Sequence, residues 1–158
     1  MAHESERGQY LDDKEEIRQL LAIYCFSLDN YDIDSLGETF TEDGVMDQGP
    51  GRGGPIQGRA AIVAGVKQRQ ARFERTCHQL GQSMISIKGD LGEGVTYVTA
   101  IHKDWNGHVA TAYLRYHDSF KKVDGQWRIL RRSSQAMLVQ GFEEAQWNWV
   151  VRIKPEGI

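Results

Sequence analysis

The sequence predicts an α+β fold in which helices pack on one face of a mostly antiparallel sheet. Two observations carry this. Up to about residue 75 the apolar residues recur at the three-and-four spacing of a buried helix face, and from Thr76 onward they follow strand period. In that second half the turn pairs Gly89-Asp90, Asn106-Gly107 and Asp124-Gly125 divide the chain into hairpin-length pieces.

The elements follow in order. Residues 1–11 are polar and are expected to fray, and Asp12 or Asp13 reads as the cap of a first helix. Its buried face is Ile17, Leu20, Leu21, Tyr24, Cys25 and Leu28. Asn30 and Tyr31 end it, and Asp32 caps a shorter helix that turns Ile33, Leu36 and Phe40 inward. A brief strand over Val45 to Asp47 leads to a glycine- and proline-rich surface loop from Gly49 to Gly58. A third helix is predicted from Arg59 to about Arg75, with Ile62, Val66, Arg69 and Phe73 on one face and a strongly basic polar face. Four strands near 76–88, 93–104, 108–122 and 126–138 form a meander. The aromatic segment 141–151 reads as a lid or a subunit contact within a C-terminal stretch of 141–158.

Composition narrows the function classes. At 158 residues the chain has the length of one domain, 1–158, and 40% hydrophobic content closes a core without staples. The net charge of −3 is spread over interspersed charges, with no basic stripe to neutralise phosphates, so nucleic acid is not an expected partner. Neither a signal-like apolar core nor a membrane-length apolar run is present, which predicts a cytoplasmic protein without a membrane partner. Cys25 and Cys77 lack metal or redox spacing and read as reduced thiols.

Several pieces resemble the SnoaL-like branch of the nuclear transport factor 2-like superfamily. They are Asp13-Lys-Glu-Glu-Ile-Arg-Gln-Leu-Leu, Leu28-Asp29, Phe40-Thr-Glu-Asp-Gly-Val, Gly58-Arg59, Arg115-Tyr-His-Asp-Ser-Phe and Gly125-Gln-Trp-Arg-Ile. The resemblance implies a cone-like curved sheet wrapped around the N-terminal helices, the cystatin-like roll, with a pocket inside. Within that branch the chain looks most similar to the group of scytalone dehydratase, bile-acid dehydratase and hexachlorocyclohexane dehydrochlorinase. The group's aspartate at the end of the first helix falls on Asp29, and its histidine on the strand after the third helix falls on His78. Tyr24 matches the bile-acid dehydratase tyrosine five residues before that aspartate. The group's arginine falls on Arg132, with Arg131 as the alternative because a register error of one residue swaps sheet faces.

The pair has a physical logic of its own. A neutral imidazole takes a proton from carbon near pH 7 when a carboxylate holds its other nitrogen in one tautomer and stabilises the imidazolium that forms. Tyr24 or Arg132 would then meet the developing oxyanion. The expected activity is a cofactor-independent lyase of the dehydratase kind, acting on a small, largely apolar or aromatic molecule. Isomerisation, aldol cyclisation or formaldehyde-releasing retro-aldol cleavage would use the same base, and a non-catalytic ligand-binding or dioxygenase small-subunit-like module would need none. No cofactor or metal is required, and the histidines have no zinc spacing. His102, Tyr116, Phe142, Trp147 and Trp149 are the candidate pocket residues.

The plainer readings stand beside these. Asp29-Asn30 suits a helix end, Tyr24 suits a core, and His78 and His117 suit structural positions in strands. Arg131 and Arg132 suit an outer charged face, or an ion pair with Asp118 or Glu38. The analogy with the dehydratases predicts a homo-oligomer, with a trimer ahead of a dimer.

Overall fold

The computed structural model describes residues 2–157, with side chains from Glu4 onward. Helix α1, Ala2–Asp29, begins well before the expected cap. Asp13 is not a cap but a buried tertiary acceptor: its Oδ1 takes hydrogen bonds from Lys122 Nζ at 2.6 Å and Trp127 Nε1 at 2.9 Å. Aspartate in a sequence reads as a helix start because it bonds local amides, and here distant donors replace them. Downstream the predicted inner face holds, since Ile17, Leu20, Leu21, Tyr24, Cys25 and Leu28 are all buried. Tyr31 ends the helix in a left-handed conformation with φ 57°, after which Asp32 caps α2, Ile33–Glu38, through the Ser35 amide.

Strand β1 spans Phe40–Asp47, longer than expected. The glycine-rich segment after it is more than a loop. It holds a 3-10 turn, Pro50–Arg52, and a two-residue strand β2, Ile56–Gln57, paired with β1. Helix α3, Arg59–Gln70, stops five residues earlier than predicted, and Phe73 already opens the next strand.

The four long strands are β3, Phe73–Lys88; β4, Leu91–Asp104; β5, Val109–Val123; and β6, Gln126–Gln140. They pair antiparallel in sequence order, as the turn pairs predict. β1 joins β6 in parallel, so the sheet runs β2-β1-β6-β5-β4-β3, and a short β7, Asn148–Trp149, pairs parallel with β6. The sheet is curved, unclosed and mostly antiparallel, with the helices on its inner face. Small inner residues, Ala100, Ala112 and Ala136, lie buried across its middle strands and leave width for the larger groups around them.

Candidate active site

Asp29 stands on the last turn of α1, where the helix meets β3. Its carboxylate makes three close polar contacts: Oδ2 accepts the His78 amide at 2.8 Å, Oδ1 accepts Thr76 Oγ1 at 2.8 Å, and Oδ1 faces His78 Nδ1 at 2.6 Å. Partial burial pushes the Asp29 carboxyl up, but the His78 ring, the His78 amide and Thr76 together outweigh it and hold the acid below its ordinary value. With Nδ1 held by the carboxylate, Nε2 is the His78 nitrogen left for chemistry. The His78 side chain is only 4% exposed, so most of the ring is withdrawn from bulk water.

Tyr24 and Arg132 meet deeper in the cone. The Arg132 guanidinium stacks between the rings of Tyr24 and Tyr116, 4.1 Å from each centroid, and forms a two-pronged ion pair with Asp118 at 2.8 and 2.7 Å. Burial alone would disfavour the guanidinium charge, yet Asp118 more than offsets it and keeps Arg132 protonated. Arg132 faces inward because of a bulge. Ile129 pairs with Phe120 and Arg131 with Ser119, so Leu130 is an extra residue that inverts the alternation. Of the two arginines the sequence left open, Arg132 is therefore the inner one. One of its nitrogens, Nη1, is buried without a hydrogen-bond partner. The Tyr24 hydroxyl makes a long contact, 3.9 Å, to Met46 Sδ. Burial raises the Tyr24 phenol, with Arg132 opposing that shift.

His102 links this interior to an opening. Its ring meets His78 edge-on at 5.2 Å between centroids, Phe73 at 4.6 Å and Phe142 at 5.5 Å. Burial, then the nearby His78 and Arg52, push His102 down to about 3, which keeps it neutral near pH 7. His102 and Phe142 line a cavity of about 510 Å³ together with Arg52, Arg69, Arg72, Phe73 and Gln146. A second cavity, about 410 Å³, reaches Asp29 and Thr76 from the α1 side, and the two share Gln70, Phe73 and Trp105 as a partition.

The other predicted pocket residues fall differently. Tyr116 is core, packed on Arg132 and Tyr24. Trp147 is buried behind the cavity wall, where it meets Phe142 edge-on and lies beneath the Arg52 guanidinium. Trp149 is a correction: it is 41% exposed, and its indole donates to the Glu144 carbonyl on the surface. On one regular strand two residues that far apart would share a face. Here β7 starts only at Asn148, and Trp147 closes the 3-10 turn Glu144–Gln146, so the two rings are free to part. Sequence reasoning passed over Arg52, Arg72 and Thr76, although the basic character of the third helix pointed toward Arg69 and its neighbours. Cys25 is a buried thiol pushed up to about 12, chiefly by burial, and Cys77 is exposed; neither is in a disulfide. No cluster of metal-ligand type occurs among the described residues.

A sequence profile of the SnoaL-like domain matches residues 9–133. The chain belongs to the SnoaL-like family. This SnoaL-like chain is 30% identical over 125 residues to an uncharacterized protein of Mycobacterium tuberculosis, covering 77% of this chain and 84% of the relative. Among solved structures, a protein of Novosphingobium aromaticivorans provisionally named scytalone dehydratase superposes with a TM-score of 0.85 at 23% identity, covering 91% of this chain and 97% of the other. A hexachlorocyclohexane dehydrochlorinase superposes with a TM-score of 0.77 at 13% identity, covering 94% and 97%. These two likenesses show a shared fold, and a Novosphingobium aromaticivorans protein described as nuclear transport factor 2-like with a cystatin-like fold superposes with a TM-score of 0.71 at 26% identity, covering 85% of this chain and 88% of the other. Among the described residues, no helix of this SnoaL-like chain is long and apolar enough to cross a membrane.

Proposed function

We propose that this protein is a cofactor-independent lyase, a dehydratase-like enzyme in which Asp29 and His78 form the general base. The carrying observation is the 2.6 Å contact between Asp29 Oδ1 and His78 Nδ1, with the His78 side chain 4% exposed and the Asp29 side chain 25% exposed. His78 Nε2 would take a proton from a carbon next to a carbonyl or similar group. The C–H electron pair becomes the new C=C bond, and the leaving group on the adjacent carbon departs with its own pair as hydroxide, which takes the proton from the His78 imidazolium and leaves as water, restoring the neutral imidazole. Asp29 stabilises the imidazolium formed and holds the ring in place. The unpartnered Arg132 Nη1 and the Tyr24 hydroxyl are the donors available to an oxyanion as it develops. Phe73 and Phe142 favour a small substrate with an apolar or aromatic body.

The test works before the substrate has been identified. Bacterial metabolite extract is incubated with wild-type protein and with His78→Ala, then compared by untargeted mass spectrometry. A parent compound should fall as a product lighter by one water, or by another small leaving group, rises with wild type alone. A conversion that survives in His78→Ala, or no wild-type-dependent conversion at all, would end the lyase reading.

A further inference from the structure

Three arginines, Arg52 from the 3-10 turn, Arg69 from α3 and Arg72 just beyond it, converge on the cavity that His102 and Phe142 line. Arg52 and Arg69 are half-buried there, and Arg72 stands at the more exposed margin. Arginines drawn inward normally have carboxylate partners. Among the described residues none of these three has one, whereas Arg59, Arg75 and Arg132 each do. Asp104 also lines the cavity; its Oδ1 accepts the backbone amides of Asn106 and His108, and it forms no ion pair with any of the three. Arg69 Nη2 and His102 Nδ1 are both buried with no hydrogen-bond partner.

The cluster is held together at a cost. Burial, then Arg69 and Arg72, lower Arg52 to about 10, and burial lowers Arg69 as well. Fixed architecture keeps the charges there. The Arg52 guanidinium lies 4.2 Å from the Trp147 ring centroid. Gly49 and Gly51 let the backbone before it press against Gln146, where any side chain at either position would collide, and Gly49 also has φ 109°.

We infer that this chamber binds the anionic head group, a carboxylate or a phosphate ester, of the protein's substrate, with Arg52 and Arg69 as its ligands and the aromatic wall of Phe73 and Phe142 against the apolar body. The inference rests on the substrate-pocket reading of the cone and adds a charge requirement to it. An anion would satisfy the unpartnered Arg69 nitrogen and relieve the repulsion among the three guanidinium groups.

The test is equilibrium binding, measured by calorimetry on the full chain and independent of turnover. The ligands are 2-naphthoate, 1-naphthyl phosphate and the neutral 2-naphthamide. At least one anion should bind about tenfold or more tighter than the amide, and the tighter of the two names the head group. The preference should collapse in Arg69→Gln and in Arg52→Gln, while His78→Ala should retain it. Melting curves of each variant without ligand check that the chamber stays folded, and Arg69→Lys, which keeps charge but loses the fork, should recover part of the preference. Equal affinity for the amide and both anions, a preference unchanged in both glutamine variants, or no binding of either anion up to ~10 mM would overturn the inference. A charge preference in a protein that converts nothing would instead leave the anion site standing and count against the lyase.

Discussion

Asp29 grips His78 twice, through the ring nitrogen at 2.6 Å and through the backbone amide at 2.8 Å. One carboxylate from a helix end thus fixes both the imidazole and the strand that carries it. The consequences for Asp29 and for His78 can be separated by mutation.

Asp29→Asn keeps an oxygen that can accept the amide but loses the charge that stabilises an imidazolium. Turnover should fall by about 100-fold or more, with equilibrium binding of substrate analogues changed little. The comparison of kcat with a binding constant measured by calorimetry checks it. A rate loss matched by an equal loss of binding would assign Asp29 a purely structural role.

His78→Ala leaves the Asp29 carboxylate with the backbone amide at that position and Thr76 Oγ1 as donors. Activity should vanish while stability drops by only about 1–2 kcal/mol, the ordinary size for one substitution that leaves no orphaned charge. Urea unfolding followed by circular dichroism reads the second quantity.

Arg132 and Asp118 have no water to fall back on, since both side chains are fully buried. Arg132→Met strands a carboxylate and Asp118→Leu strands a guanidinium, and each should cost about 3–5 kcal/mol. The double variant Arg132→Met with Asp118→Leu should cost less than the two losses summed. Denaturation midpoints of the wild type and the three variants form the cycle that checks this.

His102 supplies a pH signature. Its folded-state value is depressed to about 3 from an ordinary 6.5, with burial as the leading cause. Below 6.5 the unfolded chain gains a proton that the folded protein refuses, so stability is fully present above 6.5 and falls as pH drops toward 3, by up to about 1.4 kcal/mol per unit. His102→Phe, which keeps an aromatic ring against Phe73, Phe142 and His78, should flatten that slope between about pH 6.5 and 5. Urea midpoints across pH for the two proteins measure the difference.

The two tryptophans of the C-terminal segment should behave oppositely. Trp147→Ala removes the ring under Arg52 and against Phe142 and should cost about 3–5 kcal/mol. Trp149→Ala removes an exposed ring with one surface hydrogen bond and should cost well under about 1 kcal/mol, with no effect on ligand affinity. Thermal melts and calorimetry of the pair distinguish them.

Local patterns account for what the sequence disclosed. The inner face of α1, the Asp32 cap, the four strands and the tight turns all depend on neighbours a few residues apart. Asp29 and His78 were found through resemblance, and their contact spans residues far apart in the chain. What stayed hidden depends on distant partners or on geometry without a sequence mark. Asp13 looks like a cap until Lys122 and Trp127 arrive from β5 and β6. The bulge at Leu130 decides which arginine turns inward, and no composition rule announces a bulge there. The parallel pairing of β1 with β6 and the gathering of Arg52 with Arg69 are likewise products of assembly.

Among the described residues, β3 closes one end of the strand order with no strand paired beyond it. A free margin of that kind invites slippage or pairing with strangers, and here the helix-end acid clasps it from within. The clasp works through main chain as well as imidazole, so a descendant could exchange the histidine and still keep its border sewn shut. In this architecture a reactor and a mere container would differ by one ring on an already fastened hem.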